Sequence, residues 1–316
     1  MESAFSKRLN GLEAARVPFR QALLERLGEA GEADLLIFTP ENQNAKMNTP
    51  ASVLAIWSNG WLLIVETPAG GTTTVEADFA HTLSLELTGI LLYGQLSITY
   101  AQDAALKHAV IVFNTVKIDI YSEATERILR GTRGLSGSAG RHTREDGPGV
   151  EKLPFKFRSA LYDSTPPGEH VQALLSWPMV VSQAHHFEEQ HELANAGILV
   201  LTEHTLLIIR EELSKGYFWI KNRPHYGKIT AFIPLLRLRG HSLRYVEDSS
   251  LMQISLHLVA DEKAESTVDV DLPMSLEADA VVFLEKLETV VQTSGDKPRS
   301  TSGSHTHSEP GIRAGS

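Results

Sequence analysis

The sequence predicts a mainly β, α+β protein made of two similar units in tandem, each closed by a C-terminal amphipathic helix. Three observations predict this class: short apolar runs separated by turn residues, the same segments recurring in the same order, and helical spacing where each unit ends.

The apolar runs give the strands. "VLAIW", "WLLIVE", "LSLEL", "QLSITY", "AVIVFN" and "VKIDIY" are β-branched or apolar with partial alternation. Ser58-Asn59-Gly60, Pro68-Ala69-Gly70-Gly71 and Gln102-Asp103 punctuate them as turns. In the second half, "ILVLT", "TLLIIRE", "YFWIK", "AFIPLLRL", "SLRYV", "MQISLHL" and "STVDVDL" continue the pattern. Each half opens on a helix-like segment, with Phe19, Leu23 and Leu27 in one and Phe157 and Leu161 in the other; Pro18 suits a first helical turn. Over 275–291, Leu276, Ala280, Phe283, Leu284, Leu287 and Val291 recur at helical spacing, with Ser275 and Glu277 marking the start. "SEATERILR" (122–130) is the shorter helix of the first half.

The recurrence runs the length of the chain. "PFRQALLERL" resembles "FKFRSALYDS", and "GEADLLIFTP" resembles "GEHVQALLSWP". "ASVLAIWSNGWLLIVE" resembles "AGILVLTEHTLLIIRE"; "LTGILLYGQLSITY" (87–100) resembles "IPLLRLRGHSLRYV" (233–246); "KIDIY" resembles "TVDVDL". The last match puts Asp119 and Asp269 at equivalent positions of matching strands. The Gly-rich stretch "GTRGLSGSAGRHTREDGPG" (131–149) lies between the units and reads as a flexible linker; "GLSGSAG" lacks the Gly-Lys-Ser/Thr ending of a phosphate loop. The boundaries are 15–130 for the first unit, 131–151 for the linker, 152–293 for the second unit and 294–316 for a disordered tail.

Strands capped by one C-terminal helix, with "GILVLTEHTLLIIRE" and the later "IPLLRLRG", resemble the bacterial pleckstrin-homology-like (PH-like) families, in which a Leu-Thr-x-x-x-Leu hairpin precedes an Ile-Pro-Leu strand. The resemblance covers 196–291 directly and reaches 15–130 through the internal repeat. The first copy departs from it at the hairpin, with Trp57-Ser58-Asn59-Gly60 in place of Thr202-Glu203-His204. The resemblance implies two tandem PH-like β-barrels and a binding protein or adaptor.

Composition bounds the function. A net charge of −10 over 316 residues argues against a nucleic-acid binder held by phosphate contacts. The absence of cysteine removes disulfides, thiolate zinc sites and thiol nucleophiles. With no signal-peptide-like run and no membrane-spanning stretch, a cytoplasmic protein is expected, any membrane contact being peripheral. No Gly-x-Ser-x-Gly elbow occurs, and no cofactor is expected.

Two constellations carry the candidate chemistry. "AHHFEEQHEL" (184–193) holds His185, His186 and His191 among Glu188, Glu189 and Glu192. Zinc requires three or four converging ligands, and a His-Glu-x-x-His pair stands one helical turn apart, which these histidines do not. The stretch reads as an exposed loop inserted between the first two strands of the second unit, with a metal site or enzyme centre as the alternative. From Arg210 to Arg244 the basic residues Lys215, Lys221, Arg223, Lys228, Arg237 and Arg239 cluster in an otherwise acidic chain, interleaved with Tyr217, Phe218, Trp219 and Tyr226. A solvated face explains such a cluster, and so does an anion-binding surface. The expected partner is therefore a protein, with an anionic lipid or phosphorylated ligand bound at the 210–244 surface as the alternative.

Overall fold

The computed structural model describes residues 5–28, 33–44, 47–135, 147–181, 192–211, 227–247, 249–260 and 264–295. The first half runs α1 (Val17–Leu27), β1 (Leu35–Thr39), β2 (Ser52–Ile56), β3 (Gly60–Glu66), β4 (Thr72–Asp78), β5 (Thr82–Ile90), β6 (Tyr93–Gln102), β7 (Ala105–Asn114) and α2 (Ile118–Thr132). The second runs α3 (Phe155–Ser164), β8 (Ala173–Trp177), β9 (Gly197–Leu201), β10 (Thr205–Glu211), β11 (Gly227–Pro234), β12 (Leu238–Tyr245), β13 (Leu251–Val259), β14 (Glu265–Pro273) and α4 (Glu277–Gly295). A short two-stranded ladder follows β1 and another follows β8. No described helix is long and apolar enough to cross a membrane.

Strands such as β1, β2 and β9 are buried at every position, which is why their sequences are continuously apolar. Both faces of each are covered. Phe19 and Leu23 of α1 pack against Leu36, Phe38, Val53, Ala55, Leu62 and Ile64. The alternate residues Leu35, Ile37, Leu54, Ile56, Trp61 and Leu63 face a second core, where α2 adds Ile120, Tyr121, Ala124 and Ile128. Burying each such side chain contributes about 1.5–3 kcal/mol.

All the ladders are antiparallel, and every sheet has two ends, so among the described residues no barrel closes, contrary to the expectation of two closed barrels. Lys7–Arg8 and β1–β4 form one sheet, and β12–β14 form another. The largest sheet runs β7-β6-β5-β11-β10-β9-β8 and so joins the two halves. The reason lies at two corners. A 3-10 turn at Phe79–His81 swings β5 away from β4, and one at Leu235–Arg237 swings β12 away from β11. Consecutive strands at these corners do not pair; β5 pairs instead with β11, from Gly227 opposite Ile90 to Phe232 opposite Leu85.

The ladders also set the correspondence between the halves. Asp78 lies opposite Gly60, the first residue of β3, and Pro234 opposite Thr205, the first residue of β10. A register shift between Thr82 and Ser84 in β5 recurs between Leu238 and Gly240 in β12. The counterpart of β11-turn-β12 is thus β4-turn-β5, not 87–100. "KIDIY" is not a strand: a 3-10 turn at Thr115–Lys117 leads into α2 at Ile118, and the Asn114 side chain accepts the Val116 N–H at 3.0 Å. Over five residues the alternation mimics a strand; Tyr121, Ala124 and Ile128 reveal the helical period. Asp119 therefore sits in the first turn of α2, while Asp269 is on β14.

Both ends of the linker interval are packed. Gly131 lies under the Phe79 ring, where an added Cβ would come within 2.2 Å of it. Val150 is fully buried, and Gly147 abuts Val171. Residues 136–146 and 296–316 lie outside the described residues, and with them most of the linker and tail.

The core beneath α2 also takes Phe157 and Leu161 of α3, Ile198 and Val200 of β9, and Leu207 and Ile209 of β10, so it belongs to both halves. Thermal and denaturant unfolding should accordingly show one cooperative transition, coincident by circular dichroism and tryptophan fluorescence; two separated transitions would contradict the shared core. Tyr121 gives a pH test. Its hydroxyl meets Thr39 at 2.6 Å and Ser6 at 2.9 Å in a buried site, and burial pushes its pKa from 10.0 up to about 12, against the two hydrogen bonds. The folded state holds this proton more tightly than the unfolded chain does. The stabilisation is complete below pH 10 and is lost as pH rises toward 12. Subtracting the Tyr121→Phe stability profile from the wild-type profile should isolate this loss, on the order of 2–3 kcal/mol.

Candidate functional site

Among the described residues, Lys228, Arg237 and Arg239 of the sequence-predicted basic stretch have different surroundings. His185, His186, His191, Lys215, Lys221 and Arg223 lie outside the described residues. Lys228 is half-buried on β11 opposite Gly89; burial pulls its pKa below the ordinary lysine value, and the Asp163 carboxylate pulls it back up. Arg237 donates from Nε to the Thr82 carbonyl at 3.0 Å and from Nη2 to the Phe79 carbonyl at 3.1 Å. Its guanidinium thus clamps the corner turn of the opposite half. Arg239 is exposed and reaches Glu265 at 3.3 Å. Arg210 crosses β11 to meet Glu86 of β5 at 3.2 Å, and Arg244 donates to Gln253 at 2.9 Å. Of these cations, Arg210 and Arg237 bind the two halves together.

A buried carboxylate bolts the same junction from the other side. Glu169 has no exposed side-chain area; Arg133, just past α2, reaches it at 2.6 Å, and the Thr205 hydroxyl donates at 3.2 Å. The Thr202 hydroxyl also donates to Glu169, while accepting the Thr205 N–H at 3.1 Å. "LTEHT" is thus a hairpin whose threonines face inward to a charge. Its outward Glu203 accepts the His170 N–H at 2.6 Å and the Gln172 amide at 2.8 Å. Burial raises the Glu203 pKa, but these hydrogen bonds outweigh it and hold the carboxyl below its usual range. Each carboxylate oxygen of Glu169 and Glu203 thus accepts at least one hydrogen bond from the protein, which makes the cluster a structural joint.

Among the described residues, no three His, Asp or Glu side chains converge as metal ligands. A cleft lined by Asp34, Trp57, Ser58, Phe79 and Arg127 holds about 10 Å³, room for one water.

An unprotected sheet edge is the more distinctive surface. β7 ends the seven-stranded sheet and, among the described residues, pairs with β6 alone. Its segment Ala109–Asn114 carries no charge, and Val110 is 47% exposed. The β5–β6 hairpin turns at the same end of the strand through Leu91 and Leu92, which are 71% and 67% exposed, with Val116 beside them. Leu91 takes a left-handed conformation, φ 51°, which a β-turn normally assigns to glycine or asparagine. The counterpart edge β14 carries Glu265, Asp269 and Asp271, charges that discourage further pairing. Sequence reasoning missed this surface because Leu91-Leu92 sat within an apolar run. The available signal was two leucines at a hairpin turn. Compared with known proteins, the chain matches no family model and no curated protein.

Glu169→Ala leaves Arg133 without its carboxylate and two threonine hydroxyls without their acceptor. It should lower unfolding stability by about 3–5 kcal/mol in equilibrium denaturation. Arg239→Ala removes an exposed pair and should change stability by under ~1 kcal/mol.

Proposed function

We propose that the protein is a non-enzymatic adaptor built from two PH-like units and that it recognises a protein partner by strand addition along β7. The two-unit reading is supported by the order α, four strands, corner turn, three strands, helix in both halves, and by their shared ladder registers and bulge. The observation that carries the binding proposal is the uncharged Ala109–Asn114 segment of β7 beside the exposed Leu91, Leu92 and Val116. An extended peptide gains affinity from main-chain hydrogen bonds to such an edge and selectivity from alternate side chains. The Thr115 N–H bonds the Leu92 carbonyl at 3.3 Å, so by strand alternation Val110, Val112 and Asn114 turn their main-chain groups toward the open side. Among the described residues of the basic stretch, Arg210 and Arg237 already contact protein groups across the junction, which favours a protein over an anionic ligand.

Selection from a random peptide library should enrich apolar, β-branched sequences that slow amide exchange at Val110, Val112 and Asn114. Val110→Lys and Leu92→Glu should each weaken their binding at least about tenfold, the equivalent of ~1.4 kcal/mol, without altering the melting temperature. Peptides whose binding ignores both substitutions would refute the β7 site. Binding to anionic but not neutral liposomes, abolished by Lys221→Glu with Arg223→Glu, would instead establish the lipid function.

A further inference from the structure

The junction between the halves uses one strand from each, and the counterparts of those two strands are left as open edges. β11 of the second half pairs with β5 of the first. By the ladder correspondence, β4 is the first-half counterpart of β11, and β12 is the second-half counterpart of β5. β4 ends one sheet and β12 ends another, and among the described residues neither pairs with a further strand. We infer that a second copy of this chain docks here, β12 of one copy pairing antiparallel with β4 of the next, so that the protein assembles head to tail by repeating its own internal junction.

The main-chain groups are correctly turned. Phe79 donates its N–H to Asn59 and Gly71 gives its carbonyl to Thr67, so along β4 the odd residues face β3. Thr72, Thr74, Glu76 and Asp78 then present N–H and C=O groups to the open side. On β12 the Val246 N–H goes to the Leu251 carbonyl, which leaves His241, Leu243 and Tyr245 facing outward. In the internal junction Lys228 lies opposite Gly89, Thr230 opposite Leu87 and Phe232 opposite Leu85. Carried across by the shared bulge, that register sets Thr72 opposite Tyr245, Thr74 opposite Leu243 and Glu76 opposite His241.

The side chains agree with this register. β4 reads "TTTVEAD", β-prone and acidic with no lysine, arginine or proline to blunt the edge. β12 carries Arg239, His241 and Arg244 and no acid. Within one copy Glu76 meets Arg26 at 3.0 Å, His241 meets Glu288 at 3.1 Å and the exposed Arg239 meets Glu265 at 3.3 Å, so the docked edges share these charges with their own copy. One step further along, Asp78 comes beside Arg239, and both side chains are about two-thirds exposed, at 64% and 67%. The helix above the edge is no obstacle by analogy, since α2 packs on β5 while β5 pairs with β11. The contact is heterologous, so repetition gives a ring if the rotation closes and an open filament if it does not.

The test uses the full chain, followed by sedimentation velocity over a concentration series. Wild type should form multiples of 34.7 kDa. Thr74→Pro and Leu243→Pro each delete one outward N–H without touching the internal ladders. Each should weaken assembly about tenfold or more, the loss of one ladder hydrogen bond. Mixed together, the two variants retain one intact β12 and one intact β4 between them, and should stop at a dimer. If either proline variant melts early, Asp78→Arg and Arg239→Glu replace them, each weakening assembly and the double variant restoring it. A wild-type chain that stays monomeric up to ~1 mM overturns the inference. So does assembly that survives in either single variant, or a mixture that fails to dimerise. Val110→Lys leaves this junction intact, so failure of the β7 site and failure of self-assembly are read separately.

Discussion

The ladder between β5 and β11 is the constraint on which the rest of the molecule depends. A strand inside a sheet must satisfy its main-chain groups on both sides, and the corner turns at Phe79–His81 and Leu235–Arg237 separate β5 from the preceding β4 and β11 from the following β12, leaving each with one open side. Each finds the other instead. Once they pair, one face of the joined sheet is continuous from Leu96 and Ile98 to Leu207 and Ile209, and it must be covered along its whole length. Helices α2 and α3 supply that cover from opposite halves. Arg210, Arg237 and the Arg133–Glu169 pair then fix the junction from three directions.

Much of this was legible in the sequence. The continuous apolar runs at 35–39, 52–56 and 197–201 are what strands look like when both faces are buried, and the helices that bury them are marked by Phe19, Leu23, Phe157 and Leu161. The long C-terminal helix follows from its spacing. What was not legible has a common physical origin. "KIDIY" fits a strand within its own window and becomes helical because of Asn114 before it and Ala124 and Ile128 after it. The strand correspondence drifted past the corner because loops of different length separate β10 from β11 and β3 from β4, and only ladder registers restore it.

The candidate sites fared differently for a related reason. Charge clustering along a chain says nothing of where a strand sends alternate side chains. Arg237 and Arg239 are near neighbours in sequence, yet one clamps two carbonyls of the other half and the other reaches Glu265 at the surface. Glu169 carries no local motif at all. Its role needs Arg133 and the Thr202–Thr205 hairpin brought to it from distant parts of the chain.

The asymmetry between the halves follows from their joining. The two halves share one order of strands, and joining them consumes one edge from each. The edges that remain are of two kinds. β14 bears Glu265, Asp269 and Asp271, side chains that oppose further pairing. The Ala109–Asn114 segment of β7 carries no charge, and β4 and β12 carry charges of opposite sign that would attract rather than repel each other. An unblunted edge invites aggregation unless a specific partner occupies it. The uncharged Ala109–Asn114 segment of β7 and the oppositely charged β4 and β12 are two edge chemistries on one molecule, and the occupants proposed for them, a protein segment on the first and a further copy of the chain on the second, differ accordingly.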